Sequence, residues 1–443
     1  MVGGRNNKNI TTVGKIYVGI LLTIFGGIVL HAPLIVSLGT LFPDYELLIK
    51  SWKEILMLVA GVMALILMYQ RKRYGILRDP IMIAIAVYAV LHLVLLAWKP
   101  TGLASAVAGL AIDLRYILYF GLVYIAISLY PQYKKTFVKV GIVGAAVVLV
   151  FALLQVFVLP ADILKYIGYN VDTISPYLTV DQNEAFIRIN STLRGPNPLG
   201  AYAGLVLALI IAAFAKHQVK KENWPLILTA ILSAGGVVAL WASYSRSALI
   251  GAAVAIVFVL VVTFAKHRKQ INKWMISGGV LLTIVGGLFA VNNTAFLSNV
   301  LLHENPNEGN SINSNEDHAK SLVNGLNRAI QQPLGSGIGS TGSASLFSDG
   351  PLIIENQYLM TAHEAGWLGL GLFIYIFVMI LIRLWQKRAD WFALGILAGG
   401  ISIAIIGLLL PVWVDDTISI IWWGLAGLVC GSWYIVDGKK EKI

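Results

Sequence analysis

The sequence predicts an all-α protein: a polytopic transmembrane bundle of about twelve helices carrying a large, partly helical loop on its outer face. Three observations predict it. Apolar runs of about twenty residues recur along almost the whole 443-residue chain, which is 58% hydrophobic and only 12% charged. Runs that long match a hydrocarbon core about 30 Å thick at 1.5 Å rise per residue, and no soluble fold buries so many all-apolar helices. Most of the 33 Lys and Arg residues also gather in alternate connections between those runs.

Taken in order, the candidate spans are 16–40, 53–69, 81–98, 105–129, 138–160, 198–215, 225–242, 247–265, 275–291, 365–384, 392–413 and 417–436. The first, Ile16 to Leu38, is longer than a signal-peptide core and no small-residue cleavage site follows it, so it reads as a retained helix. With the N-terminus inside, the cytoplasmic connections hold Arg71-Lys72-Arg73, Lys134-Lys135, Lys220-Lys221, Arg268-Lys269, Lys387-Arg388 and Lys439-Lys440. That is the positive-inside pattern of an inner-membrane protein with both termini cytoplasmic. It accounts for the net charge of +11 through topology and membrane lipids, with no nucleic acid partner. The single cysteine, Cys430, lies inside the last span, so no intramolecular disulfide is possible. No Cys/His cluster has metal-site spacing, and no metal or cofactor is expected.

The whole chain, 1–443, reads as one integral membrane domain with short connections and two long outer-face exceptions. The first outer loop runs over 161–197. The second, 292–362, is polar from His303 to Asp317 and then turns helical. From His318 to Gln332 it places Leu322, Leu326, Ala329 and Ile330 on one stripe, with Asn315 or Asp317 as cap and Pro333 as terminator. This predicts a folded lid lying on the membrane surface.

Several polar groups stand out against that background. Arg194-Gly195-Pro196-Asn197-Pro198 marks a helix start with Asn197 as cap and Pro198 at the first helical position. That N-terminus points outward with the positive end of the helix dipole, and Arg194 completes an anion site; the alternative is an arginine snorkelling to headgroups. Ser245-Arg246-Ser247 forms a tight turn at a second outward helix N-terminus. It holds Arg246 near the hydrocarbon, where it needs an anion or a loop carboxylate. Asp113 and Arg115 lie within the fourth span and point to different faces; Arg115 is expected on the same outer cavity, with Asp113 balancing charge. Gly337-Ile338-Gly339-Ser340-Thr341-Gly342 has the dinucleotide spacing, but it follows a helix instead of a strand and is expected on the outer face, away from cytoplasmic nucleotides. A flexible turn letting backbone approach a substrate is the better account. Glu355 and His363, at the entrance of the tenth span, are two candidate proton acceptors, or else a solvated carboxylate and an interfacial histidine. Asp415-Asp416, between the eleventh and twelfth spans, could bind a cation or be hydrated, and hydration is the expectation.

Arg194 to Gly200, Ser245 to Ala248, the Arg328 segment leading into Pro333 to Gly339, and Glu364 to Gly369 together resemble the O-antigen ligase and O-antigen polymerase family of bacterial membrane glycosyltransferases. The resemblance covers roughly residues 185 to 370. It implies an all-helical, glycosyltransferase C-like fold without a metal. The implied reaction takes a glycan from an undecaprenyl-diphosphate carrier on the outer leaflet. The acceptor is lipid A core in ligases and another carrier-linked glycan in polymerases. The resemblance also implies that outer-face arginines neutralise the departing diphosphate, here Arg194 and Arg246, with Arg328 adding a contact from the lid. The chemistry agrees: breaking a sugar–diphosphate bond needs positive charge positioned in a dry site. One departure concerns the base. Many members carry histidine before the Asn-x-Tyr-Leu segment, where this chain has Glu355 before Asn356-Gln357-Tyr358-Leu359. Either Glu355 or His363 takes that role, or base catalysis is dispensable. A transporter or flippase of glycan precursors is the alternative, and it calls for ionisable residues near the bilayer midplane.

Overall fold

The structure is a computed structural model describing residues 10–160, 162–170, 172–174, 179–180, 183–220, 226–265, 314–348 and 350–432. Its helices are α1 (Thr12–Gly27), α2 (His31–Leu41), α3 (Glu46–Lys50), α4 (Trp52–Arg71), α5 (Pro80–Trp98), α6 (Leu103–Leu129), α7 (Lys134–Phe157) and α8 (Pro196–Lys220). They continue with α9 (Leu226–Ala242), α10 (Arg246–Phe264), α11 (Ser314–Gln331), α12 (Gly342–Ser345), α13 (Gln357–Gln386), α14 (Trp391–Ile406) and α15 (Asp416–Gly431). A small antiparallel hairpin, Thr179–Val180 against Asn183–Ile187, lies before α8.

Eight helices among the described residues are long and apolar enough to cross a membrane: α1 running on through a short 3-10 turn into α2, then α4, α5, α6, α7, α8, α10 and α13. The helices α9, α14 and α15 are shorter and equally apolar. These eleven coincide with eleven of the twelve expected spans, and the expected span 275–291 lies outside the described residues. The bundle is therefore that of a polytopic helical membrane protein.

Local chemistry sets the helix starts. Thr11, Asp79, Asp390 and Asp415 each stand in extended backbone and accept an amide of the following first turn, which satisfies donors the helix itself leaves open. The expected span 392–413 is cut short. α14 ends at Ile406, and a turned segment with Pro411 leads through a 3-10 turn, Val412–Val414, into α15.

α6, α8 and α15 form the interior. α15 pairs along α6, while α8 packs against α10 and α14. Glycines permit the close approach: a Cβ on Gly200 of α8 would come 2.7 Å from the Ala248 Cβ on α10. A cluster of Trp413, Trp422, Trp423, Phe373, Phe377, Tyr116 and Phe120 fills the centre. The Trp422 indole donates to the Ile396 carbonyl at 2.9 Å, as a buried Trp requires, while the buried Trp423 Nε1 has no hydrogen-bond partner.

The lid helix exists, with shifted bounds. α11 starts at Ser314, so Asn315 and Asp317 lie inside its first turn instead of capping it. Its predicted stripe divides. Ala329 is buried with Ala362 and Leu370 of α13, while Leu326 and Ile330 are exposed.

Candidate functional site

Three groups of polar side chains lie at the end of the bundle where α8, α10 and α13 begin. The first joins the two arginine motifs. α8 starts at Pro196, not Pro198, so Asn197 sits within the first turn and does not cap it. Its Oδ1 accepts from Arg188 Nη2 at 2.8 Å, and Arg188 Nε donates to the Ser243 carbonyl, also at 2.8 Å. Arg188 thereby bridges the start of α8 to the Ser243–Arg246 turn. That turn is as tight as expected: Tyr244 takes φ 48°, and Arg246 is the first residue of α10. Ser191, three residues after Arg188, also has a left-handed φ of 50° and is held by Gln155 Oε1 and the Val148 carbonyl. Strained non-glycine residues of this kind persist where surrounding structure dictates them, often at functional sites. Arg194 is exposed beside this group, close enough to Asp415 to act on it electrostatically. Arg188 has no sequence marker of its own and was not among the expected residues.

The second group is a buried charge network. Arg115 was expected on the outer cavity with Asp113 as its balance, but the structure separates the two. Arg115 pairs with Asp416, lies 3.8 Å from Glu54 and donates to the Val414 carbonyl. Lys53 reaches Asp416 at 3.3 Å and Glu54 at 3.2 Å. The Trp52 indole donates to His31 Nδ1 at 2.9 Å, leaving Nε2 to face Asp416 Oδ2 at 3.2 Å. Two cations and two anions close on one another, so Arg115 has its counter-charge within the bundle. The expectation of hydrated aspartates is likewise corrected. Asp416 is the centre of this network, and Asp415 caps α15 by accepting from Thr417 and Ile418 at 3.0 Å each. Burial pushes the Asp415 carboxyl above its usual range and Asp416 adds to the rise, against the Ile418 amide, Arg194 and Arg115.

The third group surrounds the glycine turn. Its backbone is clamped by hydrogen bonds. Gly335, Gly337, Gly339 and Gly342 all have positive φ, and Glu364 Oε1 accepts from the Gly339 and Thr341 amides at 3.1 and 3.2 Å. A Cβ on Gly339 would come 2.1 Å from the Ser105 carbonyl of α6. The backbone thus approaches α6 closely at Gly339. The clamp depends on a break in α13. Gly366, at φ 69°, interrupts the helix and frees the carbonyls of His363 and Glu364. Ser336 N and Gly337 N then donate to those carbonyls at 2.7 and 3.2 Å, and Trp367 N donates to the Pro333 carbonyl at 3.0 Å. Behind the turn, Glu364 stands close enough to Asp113 to interact with it electrostatically, and Asp113 lies 3.7 Å from His92 Nε2.

Glu355 and His363 do not share a helix face. Glu355 precedes the cap, Asn356, whose Oδ1 accepts from Tyr358 and Leu359 at 2.9 Å each. His363 is buried two turns into α13, with no hydrogen-bond partner at Nδ1. The lid connects both. Ser321 Oγ of α11 accepts from the Glu355 amide at 3.1 Å, and Arg328, exposed near the end of α11, acts electrostatically on His363. Among the described residues no group of three or more His, Cys, Asp or Glu is arranged to hold a metal ion. No protein-family model and no curated protein matches the chain.

Proposed function

We propose that this chain is a membrane glycosyltransferase of the O-antigen ligase and polymerase type. It would move a glycan from an undecaprenyl-diphosphate carrier to a glycolipid or carrier-linked glycan on the outer face of a bacterial inner membrane. The observation that carries the reading is the junction made by Arg188. It ties the first turn of α8 to the turn preceding α10, so two helix N-termini and the Arg194 and Arg246 motifs adjoin at one end of the bundle. Helix N-termini and guanidinium groups are what a departing diphosphate needs, because each stabilises the charge that develops on it. The lid supports the reading by bringing Arg328 toward His363 and seating Glu355 against Ser321, so either candidate acceptor for the hydroxyl proton stands next to the same cover. Arg115 would serve this site from behind, by fixing α15 through Asp416.

The test is transfer in a reconstituted bilayer. With a carrier-linked oligosaccharide and a glycolipid acceptor, the native chain should form product, while Arg194→Ala and Arg246→Ala should each lose far more rate than the corresponding Lys variants, which keep the charge and lose only the planar fork. No product with any carrier-linked donor would end the proposal. The second reading, a transporter or flippase of such precursors, is favoured by the ionisable trio His92, Asp113 and Glu364 buried inside the bundle. It predicts carrier translocation between leaflets without new glycosidic bonds.

A further inference from the structure

α11 has three faces, and their order around the helix says what lies on each side of it. Gly325 and Ala329 form the first, packed on α13: a Cβ on Gly325 would come within 3.1 Å of Ile354 and 3.3 Å of Leu359, and Ala329 is buried with Ala362 and Leu370. The second carries Ser321, which accepts from the Glu355 amide at 3.1 Å, and Arg328, which acts electrostatically on His363. The third is apolar and uncovered, with Val323, Leu326 and Ile330 at 59%, 46% and 60% exposure. At 100° per residue these three fall within about 60° of arc, and that arc is about 180° from Ser321 and Arg328. The helix therefore stands with its polar side toward the candidate site and an apolar stripe turned directly away from it.

α11 is not one of the eight helices apolar enough to span a membrane, so the stripe needs its own account. Continuity supplies one. The Pro333 carbonyl, two residues beyond α11, accepts from the Trp367 amide. This joins the end of the stripe, continued by exposed Leu334, to exposed Trp367 and Leu368 on the spanning helix α13. Tryptophan on a spanning helix favours the level of the lipid headgroups. An amphipathic helix at that level places its apolar side in the acyl boundary.

We propose that α11 is an interfacial anchor: Val323, Leu326 and Ile330, continued by Leu334, lie in the hydrocarbon edge of the leaflet at the site end, with the lipid of that leaflet as their partner. The lid is then held by lipid on one side and by α13 on another, and the site's membrane-side wall is made by this helix. The inference rests on the membrane reading alone and stands whether or not the chain transfers glycans.

The single native cysteine, Cys430, is buried in α15, so a Cys430→Ala background accepts one label at a time; should that variant fold poorly, the native background serves, because a buried thiol takes up little label. Spin labels at Leu326→Cys, Ile330→Cys and, on the polar side, Asn324→Cys are read in full-length protein in phosphatidylcholine–phosphatidylglycerol nanodiscs. Labels at 326 and 330 should relax several-fold more with oxygen than with a water-soluble nickel chelate, and the label at 324 should show the reverse. Nickel access at 326 and 330 equal to that at 324 would overturn the proposal, placing the stripe in water. Exclusion of both reagents at 326 and 330 would overturn it too, placing the stripe under protein.

Discussion

Arg188 makes two charge-assisted hydrogen bonds, to Asn197 and to the Ser243 carbonyl, and lysine cannot reproduce that fork. Arg188→Lys should lose at least one such bond, worth about 1.5–3 kcal/mol, seen as a lower unfolding temperature in detergent. Unchanged stability in both Arg188→Lys and Arg188→Ala would mean that the bridge holds nothing together. Arg194 and Arg246 were legible in the sequence because each stands beside residues that announce a helix start. Arg188 follows a short strand, and its carbonyl partner lies 55 residues away, a pairing only the fold creates. Asp113 and Arg115 show the same limit: two charges in one span are visible in sequence, but their partners at positions 92, 364, 54 and 416 are not. Glu364 gives a second test at this scale. Glu364→Gln keeps an oxygen for the Gly339 and Thr341 amides, while Glu364→Ala leaves both unmet, at about 1–3 kcal/mol for each buried donor. Thermal unfolding should rank Ala well below Gln, and equal losses would count against the clamp.

At the scale of elements, the 3.6-residue periodicity found α11 but could not say which neighbour would cover each part of its stripe. Covering Ala329 while exposing Ile330 depends on α13 standing beside α11, and nothing within 318–332 encodes that. The glycine motif was only half legible, for a related reason. Spacing shows where the chain can turn, but the need for glycine came from α6 and from the break at Gly366. The base assignment belongs here too, since α13 and the residues before it carry both candidates. General-base assistance is typically worth ~10²–10⁴-fold, so Glu355→Gln should reduce transfer by about that factor if Glu355 is the base, with donor binding intact. Glu355→His should recover part of the rate. Normal transfer in Glu355→Gln together with a dead His363→Ala would give the role to His363. Normal transfer in both would leave the rate to the arginines and positioning.

Over the whole molecule, the all-helical, polytopic character was the most legible feature, because the bilayer imposes long apolar helices on every span alike. The structure bears on the charge pattern through contacts between helices. The Arg71 guanidinium lies 4.5 Å from the Tyr130 ring, which brings the end of α4 to the junction of α6 and α7. Lys134 lies 5.5 Å from the Phe392 ring, bringing the start of α7 to the start of α14, and Lys387 donates to the Val429 carbonyl near the end of α15 at 3.4 Å. The basic clusters at 71–73, 134–135 and 387–388 therefore share one end of the bundle, opposite the arginine motifs of α8 and α10. Positively charged loops are retained in the cytoplasm during insertion, so that end should be cytoplasmic and the candidate site should face outward. Reporter fusions after Lys135, Lys221 and Lys269 should then score as cytoplasmic, and a fusion near Asn310 as external. An external signal at Lys135 would invert the whole bundle, because its helix contacts fix the sides of the other clusters. The arginines would then face the cytoplasm, where a carrier displayed on the outer leaflet cannot reach them, and the glycosyl-transfer proposal would fall with the orientation.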